Sequence, residues 1–346
     1  MNGNNASRLG NRATRATIEV MTRLYVEQRR GFAVEAVHPI DAVACDAAGS
    51  VRVLSGDDAL TTFRSASKPF QLEVTLAQLD ADVRARLSDV DLALGAASHH
   101  GEPAHLTALA ALQDVLGCRV SDLYCGAHLP THTPSAHALL ARGERPTALH
   151  NNCAGKHTFM AAATHARGWA HDYRPADHPL QAAITARLAE HTGHGIVGTV
   201  IDGCGVPCFV LRLSAMARAY AALAVAQADP SSTLGLIGRA MRAHPAIVSG
   251  SEAFDGWLMQ HSVSTAPLIA KVGALGLLCV ALPAQGLGLA IKVRSGSADA
   301  RPVATEALLA RYVPGVLDAP LPAGDVLVHN VAGTEVGALV TRFEED

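Results

Sequence analysis

Strand-like alternation sits at the two ends of this 346-residue chain, and the stretch between them is helical. Residues 34–54 alternate apolar and polar side chains and break at Asp46-Ala47-Ala48-Gly49, which predicts a two-stranded hairpin. Residues 267–272, 276–283, 287–294 and 335–342 read as further strands, with a helix over 302–312 among them. From Ser67 to about Leu79, and then at 103–116, 135–142, 156–168, 178–192, 214–228 and 231–243, the apolar spacing is helical. Two short strands around a Gly-rich turn interrupt this block at 197–212. The pattern predicts an α+β fold, an antiparallel sheet built from both chain ends with a helical block packed on it. A frayed tail over 1–20 then precedes a single domain over 21–346, whose sheet comprises 21–60 and 265–346 and whose helical block comprises 61–264.

Composition narrows the function classes. A net charge of −3 and 4% aromatic residues leave no basic, aromatic-laced surface for nucleic acid. The longest apolar runs fall short of a membrane span, and Met1 to Arg15 lacks the apolar core of a secretory signal. A cytoplasmic protein is expected. Seven scattered cysteines, an odd number, read as reduced thiols or metal ligands rather than a disulfide framework. Of 28 basic residues only Lys68, Lys156, Lys271 and Lys292 are lysines. Each is informative, because lysine can be tuned by burial into a base or a ligand and arginine cannot.

Ser65-Ala66-Ser67-Lys68 lies at the start of a predicted helix, where an i, i+3 spacing puts the Ser65 hydroxyl and the Lys68 amine on one face. Ser98-His99-His100 and Lys271-Val272-Gly273 follow in the order of the S-x-x-K, S-D-N and K-T-G elements of penicillin-recognising serine hydrolases. Two lysines near two hydroxyls repel, which drives at least one amine towards neutrality. Cys153 and Cys204 lie in Gly-rich segments with Lys156, His157 and Cys208 close by in sequence, a set that suits a soft cation such as zinc or, equally, small core thiols.

Together these segments resemble the Rhizobium etli type of L-asparaginase. The resemblance rests on Arg-Ser-Ala-Ser-Lys-Pro-Phe-Gln at 64–71, Ser-His-His-Gly-Glu at 98–102 and Cys-Gly-Ala-His-Leu-Pro at 125–130. It continues in Asn-Asn-Cys-Ala-Gly-Lys-His at 151–157, Asp-Gly-Cys-Gly-Val-Pro at 202–207 and Lys-Val-Gly-Ala at 271–274. It implies a serine β-lactamase-like fold and hydrolysis of L-asparagine by two tandems, Ser65 with Lys68 and Ser98 with Lys271. It also implies a zinc ion on Cys153, Lys156 and Cys204, and a homodimer. Arg64, Asp202 and His157 are then expected to hold the charged ends of the amino-acid substrate. A glutaminase, a penicillin-recognising hydrolase and a non-catalytic zinc or amino-acid binder are the alternatives. One departure from the family pattern is Leu275, where an acidic residue is usual beside Lys271; Lys292 reads as structural.

Overall fold

The computed structural model describes residues 22–345, so the expected tail over 1–20 lies outside the described residues. In chain order the strands are β1 (Thr22–Arg30), β2 (Ala33–Asp46), β3 (Val51–Ser55), β4 (Leu60–Thr62), β5 (Ile196–Ile201), β6 (Pro207–Arg212), β7 (Ile269–Gly273), β8 (Leu277–Leu282), β9 (Leu287–Val293), β10 (Leu327–His329) and β11 (Glu335–Glu345). Eight of them form one sheet in the order β10-β11-β1-β2-β9-β8-β7, with β3 beside β2. The chain ends meet within it: β1 pairs antiparallel with β11 from Thr22↔Glu345 to Arg30↔Gly337. The expected α+β architecture, a sheet made from both ends, is what the chain adopts. A smaller sheet, β4-β6-β5, lies inside the helical block.

Close backbone approach ties sheet to helices. The helix Leu213–Ala226 crosses β2, β8 and β9. At Gly288 in β9 a Cβ would lie 1.9 Å from the Ala217 carbonyl oxygen, so only glycine lets that helix lie so near the sheet. The helix Lys68–Gln78, buried from Lys68 to Leu72, packs against the helices Ala154–Arg167 and Pro179–His191. Phe70 meets Tyr220 edge to face at 5.6 Å, and the Tyr220 hydroxyl donates to the Ala66 carbonyl at 2.9 Å. The turn carrying Ser65 is thereby bolted to the helix that lies on the sheet. No helix among the described residues is long and apolar enough to cross a membrane.

Leu275 has a structural consequence. It sits in the β7–β8 turn at φ +58°, followed by Gly276 at +73°, with its side chain 65% exposed. The Leu275 carbonyl accepts from Lys292 Nζ, which accounts for the fourth lysine. A branched side chain in the left-handed region costs about 1–2 kcal/mol, part of which glycine recovers at its own entropic cost. Leu275→Gly is therefore expected to raise stability by about 0.5–1 kcal/mol without lowering activity. Urea unfolding of the two proteins measures it, and a loss of stability would show that the leucine packs usefully.

Candidate active site

Arg64 opens the site in a strained conformation. Its φ is +46°, uncommon for a residue with a side chain. A tight turn over Arg64–Ser67 follows and passes directly into the helix Lys68–Gln78, whose second residue is Pro69. Ser65 is the second residue of that turn. Its side chain is half-buried and makes no hydrogen bond among the described residues. Lys68, by contrast, is 1% exposed. Its Nζ donates to the Ala97 carbonyl at 2.6 Å, to Ser98 Oγ at 2.8 Å and to the Asn152 carbonyl at 3.3 Å. Burial is the main cause that pulls the Lys68 amine down to about 8, with Lys156 and Lys271 adding repulsion and the Cys153 thiol opposing it.

The second expected tandem is joined differently. Ser98 is bonded to Lys68, whereas Lys271 on β7 points its Nζ to Asp255 Oδ2 at 3.0 Å and to Ser249 Oγ at 3.5 Å. Both members of the Lys271–Asp255 pair are fully buried. Asp255 also accepts from Val272 N at 3.0 Å. Burial pushes its carboxyl up, but Lys271, the Ser249 hydroxyl and the Val272 N–H outweigh that and hold it down to about 2. A carboxylate does therefore accompany Lys271. It comes from the helix Phe254–Gln260, while Leu275 stands out at the exposed turn. Sequence reading missed Asp255; its one signal was a lone acid inside the apolar run Ala253-Phe254-Asp255-Gly256-Trp257-Leu258-Met259.

Arg64 and Asp202 are brought together, and they hold each other, Arg64 Nε to Asp202 Oδ1 at 2.8 Å. Asp202 lies at the turn between β5 and β6, next to the thiol cluster. There the N-terminus of the helix Ala154–Arg167 presents Cys153, Lys156 and His157 towards Cys204, all of them buried. Gly155 makes this possible, since a Cβ on it would stand 2.1 Å from the Leu94 carbonyl oxygen. Lys156 Nζ donates to Cys204 Sγ at 3.1 Å. The neighbouring Cys204 thiol draws Cys153 well below an ordinary thiol, against the effect of burial and with help from Lys68 and Lys156. Cys204 is pushed up, by Cys153 first and burial second. Burial works against the Lys156 ammonium, but the charges of Cys204 and Cys153 prevail and raise it. Cys208 lies on β6, and all seven cysteines are free.

His157 bonds Tyr173 through Nδ1 at 2.9 Å, while its Nε2 is buried with no hydrogen-bond partner. Burial takes this imidazole down to about 4. Two thiols and the Lys156 amine are donors of the kind that bind zinc. Among the described residues no three His, Cys, Asp or Glu side chains form a metal cluster, so any such site depends on the lysine amine.

No curated protein matches the chain. Among solved structures, Mglu in its tris and glutamate form is similar at a TM-score of 0.36 and 16% identity, over 83% of this chain and 62% of that one. The chain thus spans 62% of that protein's length. A beta-lactamase from Mycobacterium bovis is similar at a TM-score of 0.40 and 18% identity, over 82% of this chain and 97% of that one. A beta-lactamase from Desulfarculus baarsii follows at 0.38 and 16%, over 79% and 91%. At such scores these likenesses carry no weight of their own, and the fold stands on the strand order and helices described above. The sequence itself is decisive: residues 26–340, which include every side chain of the site, match the L-asparaginase II family, and the chain belongs to that family.

Proposed function

We propose that this protein is an amide hydrolase that releases ammonia from L-asparagine through a serine nucleophile and a lysine base. The observation that carries the reading is the buried Lys68 amine, whose proton burial loosens to about 8, three residues after the Ser65 hydroxyl and 2.8 Å from Ser98 Oγ. Family membership supports the hydrolytic class.

In this scheme Ser65 Oγ bonds to the side-chain amide carbon as its proton passes to neutral Lys68. The resulting oxyanion is held by backbone N–H groups of the Ser65 turn and of β7, the last strand of the sheet, against which that turn packs. Val272 N–H points to Asp255. The C–N bond then breaks, the proton returns to the leaving amine by way of Ser98, and water cleaves the β-aspartyl ester to release aspartate. Lys271, paired with Asp255, acts in this scheme as a fixed charge that helps keep Lys68 neutral. It is not a second base.

The α-carboxylate and α-ammonium of the substrate suit Arg64 and Asp202, which exchange their mutual bond for substrate; His157 is the further contact. Cys153, Lys156 and Cys204 would hold zinc. When bound, the ion would supply a fixed positive charge beside the pair and would tie the helix Ala154–Arg167 to the β5–β6 turn.

Ammonia release from L-asparagine and L-glutamine, measured side by side with and without added zinc, tests the reading. Release from asparagine is expected. Release from glutamine alone would make the protein a glutaminase, since one methylene is worth only about 1–3 kcal/mol of discrimination. Turnover of a chromogenic β-lactam with neither amide hydrolysed would overturn the proposal, as would amino-acid or zinc binding with no turnover of any amide.

A further inference from the structure

A cavity of about 440 Å³ is lined by Val272 of β7 together with Gln28 of β1, Leu327 of β10 and Leu339 of β11, and contains neither Ser65 nor Lys68. Val272 lines it, and neighbouring strand residues face opposite sides, so it lies across β7 from the Lys271 side chain. Asp255, which accepts from both Lys271 and Val272, forms part of the shared wall.

The charges in this cavity are arranged without being paired. Arg301, half-buried near the start of the helix Ala300–Tyr312, lines it. Its Nε is sealed from water with no partner, and the guanidinium makes no hydrogen bond or ion pair among the described residues. A buried donor left unsatisfied costs about 1–3 kcal/mol. A cation in the first helical turn also opposes the helix dipole. Asp325, likewise half-buried, lines the same cavity, with Asp299 and Glu252 at its exposed rim. None of these three carboxylates forms an ion pair with Arg301 or with any other described residue. Arg301 feels the negative charges of Asp255 and Asp299 without bonding to either, and opposite charges left unbonded around one cavity are complementary to a small molecule that carries both signs. A planar guanidinium takes a carboxylate through two parallel bonds, and a carboxylate takes an ammonium.

We propose that this cavity is a second amino-acid site, in which Arg301 holds the α-carboxylate and Asp325 the α-ammonium of a small zwitterion. Its occupant touches the wall that carries Asp255, the partner of Lys271, so the site is placed to report an amino-acid level to the Ser65 site. The binding claim stands whether or not the protein hydrolyses asparagine.

Calorimetric titration of the full chain with glycine, the smallest α-zwitterion and not an amide substrate, is the test. Saturable heat is expected also in an Arg64→Ala background, which removes the guanidinium of the Ser65 site, with acetate and methylamine each weaker by about tenfold or more because each lacks one charge. Arg301→Gln and, separately, Asp325→Asn should each weaken glycine by about tenfold or more, whereas Arg301→Lys keeps the charge and loses less. Melting curves identify any variant that fails to fold, and the two substitutions on different elements serve as independent checks. Glycine affinity unchanged in both Arg301→Gln and Asp325→Asn would overturn the proposal. So would acetate binding as tightly as glycine, which would mark a simple anion site, or the absence of saturable heat.

Discussion

Ser65→Ala is expected to lower kcat for ammonia release by about 10⁴-fold or more, because removing a nucleophile leaves only binding and oxyanion stabilisation. Lys68→Arg is expected to lower it by about 10²–10⁴-fold. The second substitution is the sharper test, since arginine keeps the positive charge and cannot give up its proton. Lys68 is enclosed by the Ala97 and Asn152 carbonyls and Ser98 Oγ, and arginine is larger. Lys68→Met, which fits the same space without charge, therefore accompanies it. Both variants should lose turnover while holding their melting temperature closely enough to remain folded. Steady-state rates for Ser65→Ala, Ser98→Ala and the two Lys68 variants check the scheme together. If Ser65→Ala keeps near-normal turnover and Ser98→Ala loses it, the nucleophile is Ser98, a role its 2.8 Å bond to Lys68 makes chemically available. Unimpaired Lys68→Arg would remove general-base catalysis by that amine.

The order of elements was legible because the signals that set it are local. Alternation over 34–54 and 267–294 and helical spacing over 156–168 and 214–228 each need only a short window, and the structure has strands and helices there. Ser65 and Lys68 stood out for the same reason, a spacing of three, although Ser65 lies in the tight turn before the helix and is not bonded to Lys68. What the sequence could not give was which lysine meets which hydroxyl. Ser98 was expected beside Lys271, but its partner is Lys68, 30 residues away. Lys271 is taken by Asp255, whose pairing depends on how a short helix docks against the sheet edge. Arg64 and Asp202, 138 residues apart, are in contact as the substrate reading required, yet that reading did not include their bond to each other. Nearby, β4 pairs with β6 across a longer gap still, and β4, only three residues long, is too short to leave a periodic trace. Leu275 shows the opposite error. A departure from a family pattern was read as a change of charge near Lys271, while the left-handed turn removes that side chain into solvent.

The Lys271–Asp255 pair gives the largest expected effect on stability. Both side chains are at 0% exposure and 3.0 Å apart, and Asp255 is further satisfied by Val272 N and Gly256 N. A buried pair gains little over a well-packed apolar substitute, but removing one partner strands the other charge. Asp255→Asn should therefore destabilise the fold by about 3–5 kcal/mol. Pairing it with Lys271→Met, which removes the stranded ammonium, should recover much of that loss. Urea unfolding of the two single variants and the double variant completes the cycle, and strict additivity would show that the two groups do not interact energetically. The same pair sets an acid limit. Asp255 titrates lower in the folded chain, about 2, than its ordinary value of 3.8. The unfolded chain therefore binds more protons between those values, and the stability it contributes is fully present above 3.8 and is lost as pH falls through 2. Stability of the parent protein should decline across that window, and the Asp255→Asn variant should lack this component. Because Lys271 is held in this pair, its charge reaches Lys68 as a constant field, so Asp255→Asn is also expected to disturb turnover through the position of Lys271. A variant that loses several kcal/mol of stability yet turns over normally at low temperature would separate the two roles and leave Lys271 a purely structural lysine.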